Sequence, residues 1–339
     1  MSKRNTKNER IKHGYLVLLK EARQRDQKSV DAIAAALDRF DKYNKHQDFK
    51  RFHYQQAIGF KKSLQKEKNP NTGKLLSKAT LNSTLRHIKV FFQWLAEQQG
   101  FRSSIVATDA EYFNLSEKDV RAATASRPKR VPTIQQVSHV LSLMPSSSVI
   151  EKRNRALIAF ILLTGARDRS VASLQLKHVD LVSDSVFFDA REVETKFSKT
   201  FTTYFFPVGD DVRCIVADWV AYLRDELLFG MDDPIFPKTK LGKGGDNVFE
   251  AQGLTREHWQ TTTPIRQIFK QAFESAGVAY YNPHSFRHLL SAMAQKTCKT
   301  VEEFKAWSQN LGHEGVLTTL TSYGEVQLER QGEIMEGLR

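Results

Sequence analysis

A mainly α-helical, two-domain chain with one small β-sheet is the architecture this sequence predicts, and three observations predict it. The chain has 339 residues, 40% of them apolar, which is enough for two ordinary cores. Apolar residues recur at three- and four-residue steps through most of its length, while strand-like segments are confined to Val186–Val208. The charge divides in the same way. Residues 1–130 hold 28 Lys and Arg against 13 Asp and Glu, and the remainder hold 23 against 25. So basic a first part points to polyanions, with nucleic acid the leading partner, although a solvated basic helical surface has the same composition.

Several classes are disfavoured at once. The longest apolar run, Ala156 to Leu163, is eight residues, far short of a membrane span, so no membrane partner is expected. The basic start, Met1-Ser-Lys-Arg4, leads into no signal-peptide core, and the two cysteines, Cys214 and Cys298, make neither a disulfide framework nor a metal cluster. A cytoplasmic protein is expected.

Element by element, the first part reads as helices over Tyr15–Arg25, Val30–Phe40, Tyr54–Glu67 and Ala79–Gln98. In the last, Leu81, Leu85, Ile88, Phe91, Phe92 and Leu95 form one apolar stripe, flanked by Lys78, Arg86 and Lys89. Ser126-Arg-Pro-Lys-Arg-Val-Pro-Thr133 reads as an extended connector in which Arg127, Lys129 and Arg130 are candidate phosphate contacts. This gives domains at 1–125 and 134–339 with a linker at 126–133. Beyond it, Thr133 caps a helix through Met144, and Ser148 with Glu151 forms a capping box for a helix ending near Gly165. Three short strands are expected at Val186–Asp189, Glu192–Thr195 and Phe201–Val208. Helices follow over Asp211–Phe229, with Gly230 as C-cap, and over Pro264–Ala276, Ser285–Lys296, Val301–Asn310 and the tail after Gly324. Leu241-Gly-Lys-Gly-Gly-Asp246 lacks phosphate-loop spacing and reads as a surface loop.

Asn282-Pro-His-Ser-Phe-Arg-His288 carries the clearest chemistry. Asn282 suits an N-cap and Pro283 the first helical position, so His284 falls in the first turn and Arg287 follows three residues later, away from the apolar face. Cations at a positive helix end suit a phosphate, but His284 as a capping histidine and Arg287 as a surface cation fit equally. His288 could form a metal pair with His284, yet no catalytic Glu follows His284 and no third ligand is evident. Leu162-Leu-Thr-Gly-Ala-Arg167 ends an apolar helix in a tight turn that holds Arg167 at the core's edge, where it would also suit the helix dipole. Lys196 and Lys199 stand in the turn before the third strand, and Tyr323 follows Leu311-Gly-His313. Taken singly, a turn lysine is a solvated charge and a tyrosine a core residue.

Their order along the chain is more specific. Thr-Gly-Ala-Arg, a turn lysine before a strand, His-Ser-Phe-Arg, Leu-Gly-His and then Tyr resembles the tyrosine recombinases, the phage-integrase family, over about Val131–Tyr323. The basic helical first part is similar to the family's core-binding DNA domain. The resemblance implies a helical core-binding domain followed by a DNA breaking-rejoining catalytic domain. Its catalytic set would be Arg167, Lys199 with Lys196 as fallback, His284, Arg287, His313 and the nucleophile Tyr323. Two departures from the family pattern stand out: Ser170 occupies the place, three residues after Arg167, where many relatives carry an acid, and His313 to Tyr323 spans one residue more than is common.

What the resemblance implies functionally is site-specific recombination through a covalent 3′-phosphotyrosyl link, without a metal or other cofactor. Its partners would be double-stranded DNA attachment sites, a homotetramer assembled on two of them, and accessory DNA-bending proteins. Lys78, Arg86, Lys89, Arg127, Lys129 and Arg130 would grip the DNA backbone. The tail, with Ile334, Met335 and Leu338, would dock either on a neighbouring subunit or on its own domain. No room is expected before residue 10 for a separate arm-binding domain. A noncatalytic DNA-binding regulator of the same fold remains the alternative, because of the two departures.

Overall fold

A computed structural model describes residues 4–125, 130–243, 249–313 and 328–337. The chain divides into two units, residues 1–126 and 127–339, each with its own apolar core.

Among the described residues of the first unit, five α-helices surround an aromatic core. They are α1 (Thr6–Val17, continued by a π turn at Leu18–Ala22), α2 (Gln27–Tyr43), α3 (Tyr54–Lys66), α4 (Lys78–Ala96) and α5 (Glu117–Thr124). The whole predicted stripe of α4 is buried. Phe92 lies at its centre, stacked on Phe52 at 3.7 Å and met edge-on by Phe40, Phe49 and Phe91. Such pairs add to burial through their ring quadrupoles.

Two differences from expectation have one cause, a polar or missing apolar stripe. α1 begins nine residues before Tyr15 because its buried positions are partly polar. Asn8 donates to Asp41 Oδ1 and to the Gln47 carbonyl, each at 2.8 Å, and accepts from the Phe49 amide. Lys12 is held by Asp38 and Asp41. Burial lowers the Lys12 pKa, but hydrogen bonds to Asp38 and Glu9 outweigh it and leave the pKa raised, so the ammonium is secure. Between Gln98 and Ser126, where the sequence shows no helical period, lie a 3₁₀ segment, Ala107–Phe113, and α5, which buries no residue.

In the second unit the capping signals fall where they were read. Thr133 caps α6 (Ile134–Leu143), and Ser148 with Glu151 opens α7 (Val149–Thr164). Every residue from Ala156 to Thr164 is buried, which makes α7 the central helix of this core. It ends at Gly165, whose φ of 61° only glycine adopts without strain. The single turn α8 (Asp168–Val171) leads to a three-stranded antiparallel sheet of β1 (Val179–Asp180), β2 (Ser185–Phe188) and β3 (Phe201–Tyr204) in that order. Phe188 pairs with Phe201, and their rings stack at 4.8 Å. α9 (Asp210–Ala221), the hairpin β4 (Thr239–Lys243) and β5 (Phe249–Leu254), α10 (Thr263–Ser275), α11 (Pro283–Thr297), α12 (Val301–Asn310) and α13 (Leu328–Gly337) complete the described chain.

Three sequence expectations are corrected here. Glu192–Thr195 is no strand, because turns close on Asp189: the amides of Glu192 and Val193 both donate to its carbonyl, and Arg191 folds back on its carboxylate. A second, two-stranded sheet exists, and Leu241 to Lys243 belong to it rather than to a loop. Gly230 is not the C-cap of α9; a π turn at Tyr222–Glu226 extends the helix, the backbone reverses at Leu228 with φ 55°, and the Gly230 amide donates to Asp233. In the tail, Met335 is exposed, whereas Leu338 lies outside the described residues. No helix among the described residues is long and apolar enough to cross a membrane.

Replacing Gly165 tests the core geometry, since a β-carbon there would meet Leu311 Cδ2 at 2.9 Å and Leu290 Cδ1 at 3.0 Å in addition to the backbone strain. Gly165→Ala is expected to cost roughly 1–3 kcal/mol in urea denaturation, whereas Gly100→Ala, with φ 81° but open space around it, should cost the smaller backbone share only.

Candidate active site

Two helix ends and one buried guanidinium build the site. α7 stops at Gly165 and α12 stops at Leu311, and each end leaves carbonyls without an intrahelical partner. Arg287, on α11 and only 4% exposed, donates from Nη1 to the Gly165 carbonyl at 2.6 Å and from Nη2 to the Leu311 carbonyl at 2.5 Å. One side chain thus caps two helices, with its charge at the negative end of each dipole. Arg287 is therefore not the surface cation that the helical wheel allowed. Burial, and next the neighbouring Arg167, push its pKa down to about 9, which still leaves it charged at neutrality.

The other predicted residues gather around it. Arg167 occupies the break between α7 and α8, half-buried, and burial lowers its pKa as well. Among the described residues no carboxylate forms an ion pair with Arg167 or Arg287: Asp168 pairs with Arg266, and Glu194 with Arg169. His284 lies exposed in the first turn of α11, where the Asn282 side chain accepts from the Ser285 amide and Pro283 takes the first helical position, as read from the sequence. His284 and His288 meet ring to ring at 4.9 Å. Among the described residues no three metal-ligating side chains stand together.

His313 follows Gly312, whose φ of 67° turns the chain out of α12 and across the ring of Phe201 on β3. Burial first, then the positive field of Arg287, Arg167, His284 and Lys199 in that order, push the His313 pKa down to about 4. Those five side chains are thus electrostatic neighbours, although they come from three helix ends and a hairpin. Lys199 is half-buried at the end of the β2–β3 turn, while Lys196 is exposed and lies over the Phe197 ring at 4.7 Å. Arg167, Asp168, Lys196 and His284 also line a cleft of about 630 Å³, together with Arg266, Tyr280, Asn282 and Pro283. An adjoining cleft of about 490 Å³ runs from Arg167 and Ser170 to the turn residues up to Ser198. Tyr323 lies outside the described residues.

Sequence reasoning missed the residues that hold this cluster together. Asp168 accepts two hydrogen bonds from Arg266 on α10. Asn310, the last residue of α12, exchanges both amide hydrogen bonds with the backbone of Tyr204 at 2.7 and 2.8 Å, while its carbonyl accepts from Thr203. It therefore fixes the His313 turn to β3. Polar residues with such partners carry no motif, so only the fold discloses them.

In the first unit, Lys78 pairs with Asp119 at 2.9 Å and Lys89 with Glu111 at 2.6 Å, which offsets much of their charge, whereas Arg86 is exposed. Arg25 joins Arg86 beside His87, whose pKa is lowered by burial first and then by these two cations, a cluster that helix-by-helix reading did not reveal. Arg130 is exposed, and Arg127 and Lys129 lie outside the described residues.

A cluster of cations and histidines set between helix termini, in which no described carboxylate forms an ion pair with Arg167 or Arg287, suits an enzyme acting on phosphate esters. Comparison with known proteins narrows this class. The model of the phage integrase family matches residues 131–329, and the chain belongs to that family, the tyrosine recombinases, which cut and rejoin DNA strands. It is 22% identical over 247 residues to the tyrosine recombinase XerC of Halalkalibacterium halodurans, covering 72% of this chain and 70% of that one. It is 23% identical over 251 residues to XerC of Lactobacillus delbrueckii subsp. bulgaricus, covering 73% and 72%. Among solved structures, the Tn1549 transposon integrase in complex with a circular intermediate DNA has the same fold, with a TM-score of 0.64 at 14% identity over 97% of this chain and 99% of that one. The XerH site-specific recombinase in its post-cleavage complex gives a TM-score of 0.63 at 17% identity over 94% and 82%.

The field around His313 can be measured directly. In the free protein its ring should titrate near pH 4 by NMR, against about 6.5 for an unperturbed histidine, and Arg167→Gln should move it upward by removing one cation. Because its folded pKa lies below the unfolded value, His313 stabilises the fold above about pH 6.5, and that contribution is lost as pH falls toward 4.

Proposed function

We propose that this tyrosine recombinase breaks and rejoins duplex DNA at paired attachment sites, with Tyr323 as nucleophile and Arg167, Lys199, His284, Arg287 and His313 as its catalytic set. One observation supports the reading most strongly: the Arg287 guanidinium, bonded to the carbonyls of Gly165 and Leu311, draws together the turn that carries Arg167 and the turn that carries His313.

In the step we propose, the Tyr323 oxygen attacks phosphorus, and a phosphotyrosine bond at the 3′ side forms as the bond to the 5′-oxygen breaks. A tyrosine hydroxyl with a pKa of about 10 is a weak nucleophile at neutrality, so its proton passes to His284. The 5′-oxygen takes a proton from Lys199. Negative charge on the nonbridging oxygens is met by Arg167 and by the outward N–H groups of Arg287. With a pKa of about 4, His313 is neutral at pH 7 and acts as a hydrogen-bond donor rather than as an acid. The 5′-hydroxyl of a second strand then attacks the phosphotyrosine and releases Tyr323, with no external energy source. Chain ends are exchanged between two duplexes held by a tetramer, and DNA-bending proteins act as accessory partners.

The basic first unit supplies sequence-independent grip on the DNA backbone through the exposed Arg86, and the exposed Arg130 at the start of the second unit adds to it. Arg86→Ala should weaken binding to specific and nonspecific duplexes alike and lower the salt dependence by about one phosphate contact in a filter-binding titration. The catalytic assignment is tested by trapping on attachment-site DNA nicked just past the cleavage position. A denaturant-resistant protein–DNA adduct that disappears in Tyr323→Phe is the expected result. Tight binding to the authentic site with no adduct would overturn it in favour of a DNA-binding regulator.

A further inference from the structure

The Ser170 departure leads to a joint that neither the family pattern nor the catalytic set contains. Ser170 is buried, and its hydroxyl donates to the Glu194 carbonyl at 2.9 Å. One helical turn on, the Ser173 hydroxyl accepts from the Glu194 amide, also at 2.9 Å, while donating to the Ser170 carbonyl at 3.0 Å. Both backbone groups of Glu194 are thus held by two serines that face it together. The carboxylate of Glu194 pairs in addition with Arg169. Glu194 immediately precedes Thr195–Lys199, the turn that presents Lys199, and Arg167 immediately precedes the α8 turn that carries Ser170.

We infer that Ser170 and Ser173 are positioning residues that lock the lysine turn to the Arg167 turn, so that Lys199 reaches the departing oxygen. Three features carry this. The turn needs an external hold, because it contains two consecutive residues with positive φ, Phe197 at 62° and Ser198 at 49°, and lies outside the sheet ladder that ends at Phe201. The hold acts on backbone, so it sets the path of the turn whatever side chain stands at 194. The serines also leave Arg167 itself untouched: no hydrogen bond joins either hydroxyl to its guanidinium among the described residues, so their effect should fall on the leaving-group step rather than on charge neutralisation.

The inference rests on the assignment of Lys199 as acid, and one substrate pair separates the two. In DNA carrying sulfur in place of the bridging 5′-oxygen at the cleaved phosphate, the leaving thiolate needs no proton. Single-turnover cleavage would be compared on ordinary and sulfur-substituted suicide DNA for the unchanged protein, Lys199→Ala, Ser170→Ala and Ser173→Ala, with thermal melting confirming that each is folded. Ser173 is only half-buried, so its variant keeps the test available should Ser170→Ala fail to fold. The expected result is a loss of roughly ten- to a hundred-fold on ordinary DNA for each serine variant, restored to within about two-fold on the sulfur substrate, in parallel with Lys199→Ala. If Lys199→Ala is rescued by sulfur but the serine variants remain slow, or if they are not slowed at all, the positioning role is wrong while the acid stands. If Lys199→Ala is equally slow on both substrates, the acid is misassigned and the positioning role falls with it.

Discussion

Everything in the second unit turns on a buried guanidinium that caps two helices. A charge taken out of water needs compensation, and a carboxylate is the usual source. Arg287 instead takes the carbonyl ends of α7 and α12, which carry partial negative charge and lack partners of their own. The consequence is both structural and chemical. Two helices distant in sequence are drawn to one point, and among the described residues no carboxylate pairs with the positive charge that draws them. A carboxylate there would have supplied the same stability while removing the attraction for a phosphate.

The remaining geometry follows from those two ends. Gly165 and Gly312 leave the helices at positive φ, where Leu311 and the Phe201 ring pack against them without a β-carbon between. Arg167 comes two residues after the first glycine and His313 one residue after the second, so the turns that end the helices also deliver the side chains. Asn310 secures the second turn to β3 by imitating a strand partner, and Asp168 ties the first to α10 through Arg266. Since the catalytic candidates sit on turns, the precision of the site depends on such short polar fastenings more than on the apolar core beneath.

Legibility followed the kind of signal involved. The stripe of α4, the capping box of α7 and the Asn282-Pro283 start of α11 were readable, because each is a local pattern with a local cause. The Glu192–Thr195 segment and the start of α1 were not. In the first, alternating residues imitate a strand, but turns onto Asp189 claim the backbone; in the second, Asn8 and Lys12 fill buried positions through long-range partners that no window of sequence contains. The β4–β5 hairpin was missed because glycines at 242 and 253 interrupt its alternation. All six catalytic candidates were named from the order of their motifs along the chain, yet the burial of Arg287 was not legible, since a helical wheel shows which way a side chain leaves the helix and not where a long one ends.

The central claim is that the two arginines act by neutralising a phosphate. The most direct measurement uses attachment-site DNA whose cleaved phosphate is replaced by a methylphosphonate, which carries no charge on its nonbridging position. Arg167→Ala should cleave ordinary DNA very poorly and the methylphosphonate far better, because the charge that Arg167 serves is gone. Equal failure on both substrates would contradict the account, and would mean that Arg167 does something other than hold phosphate charge.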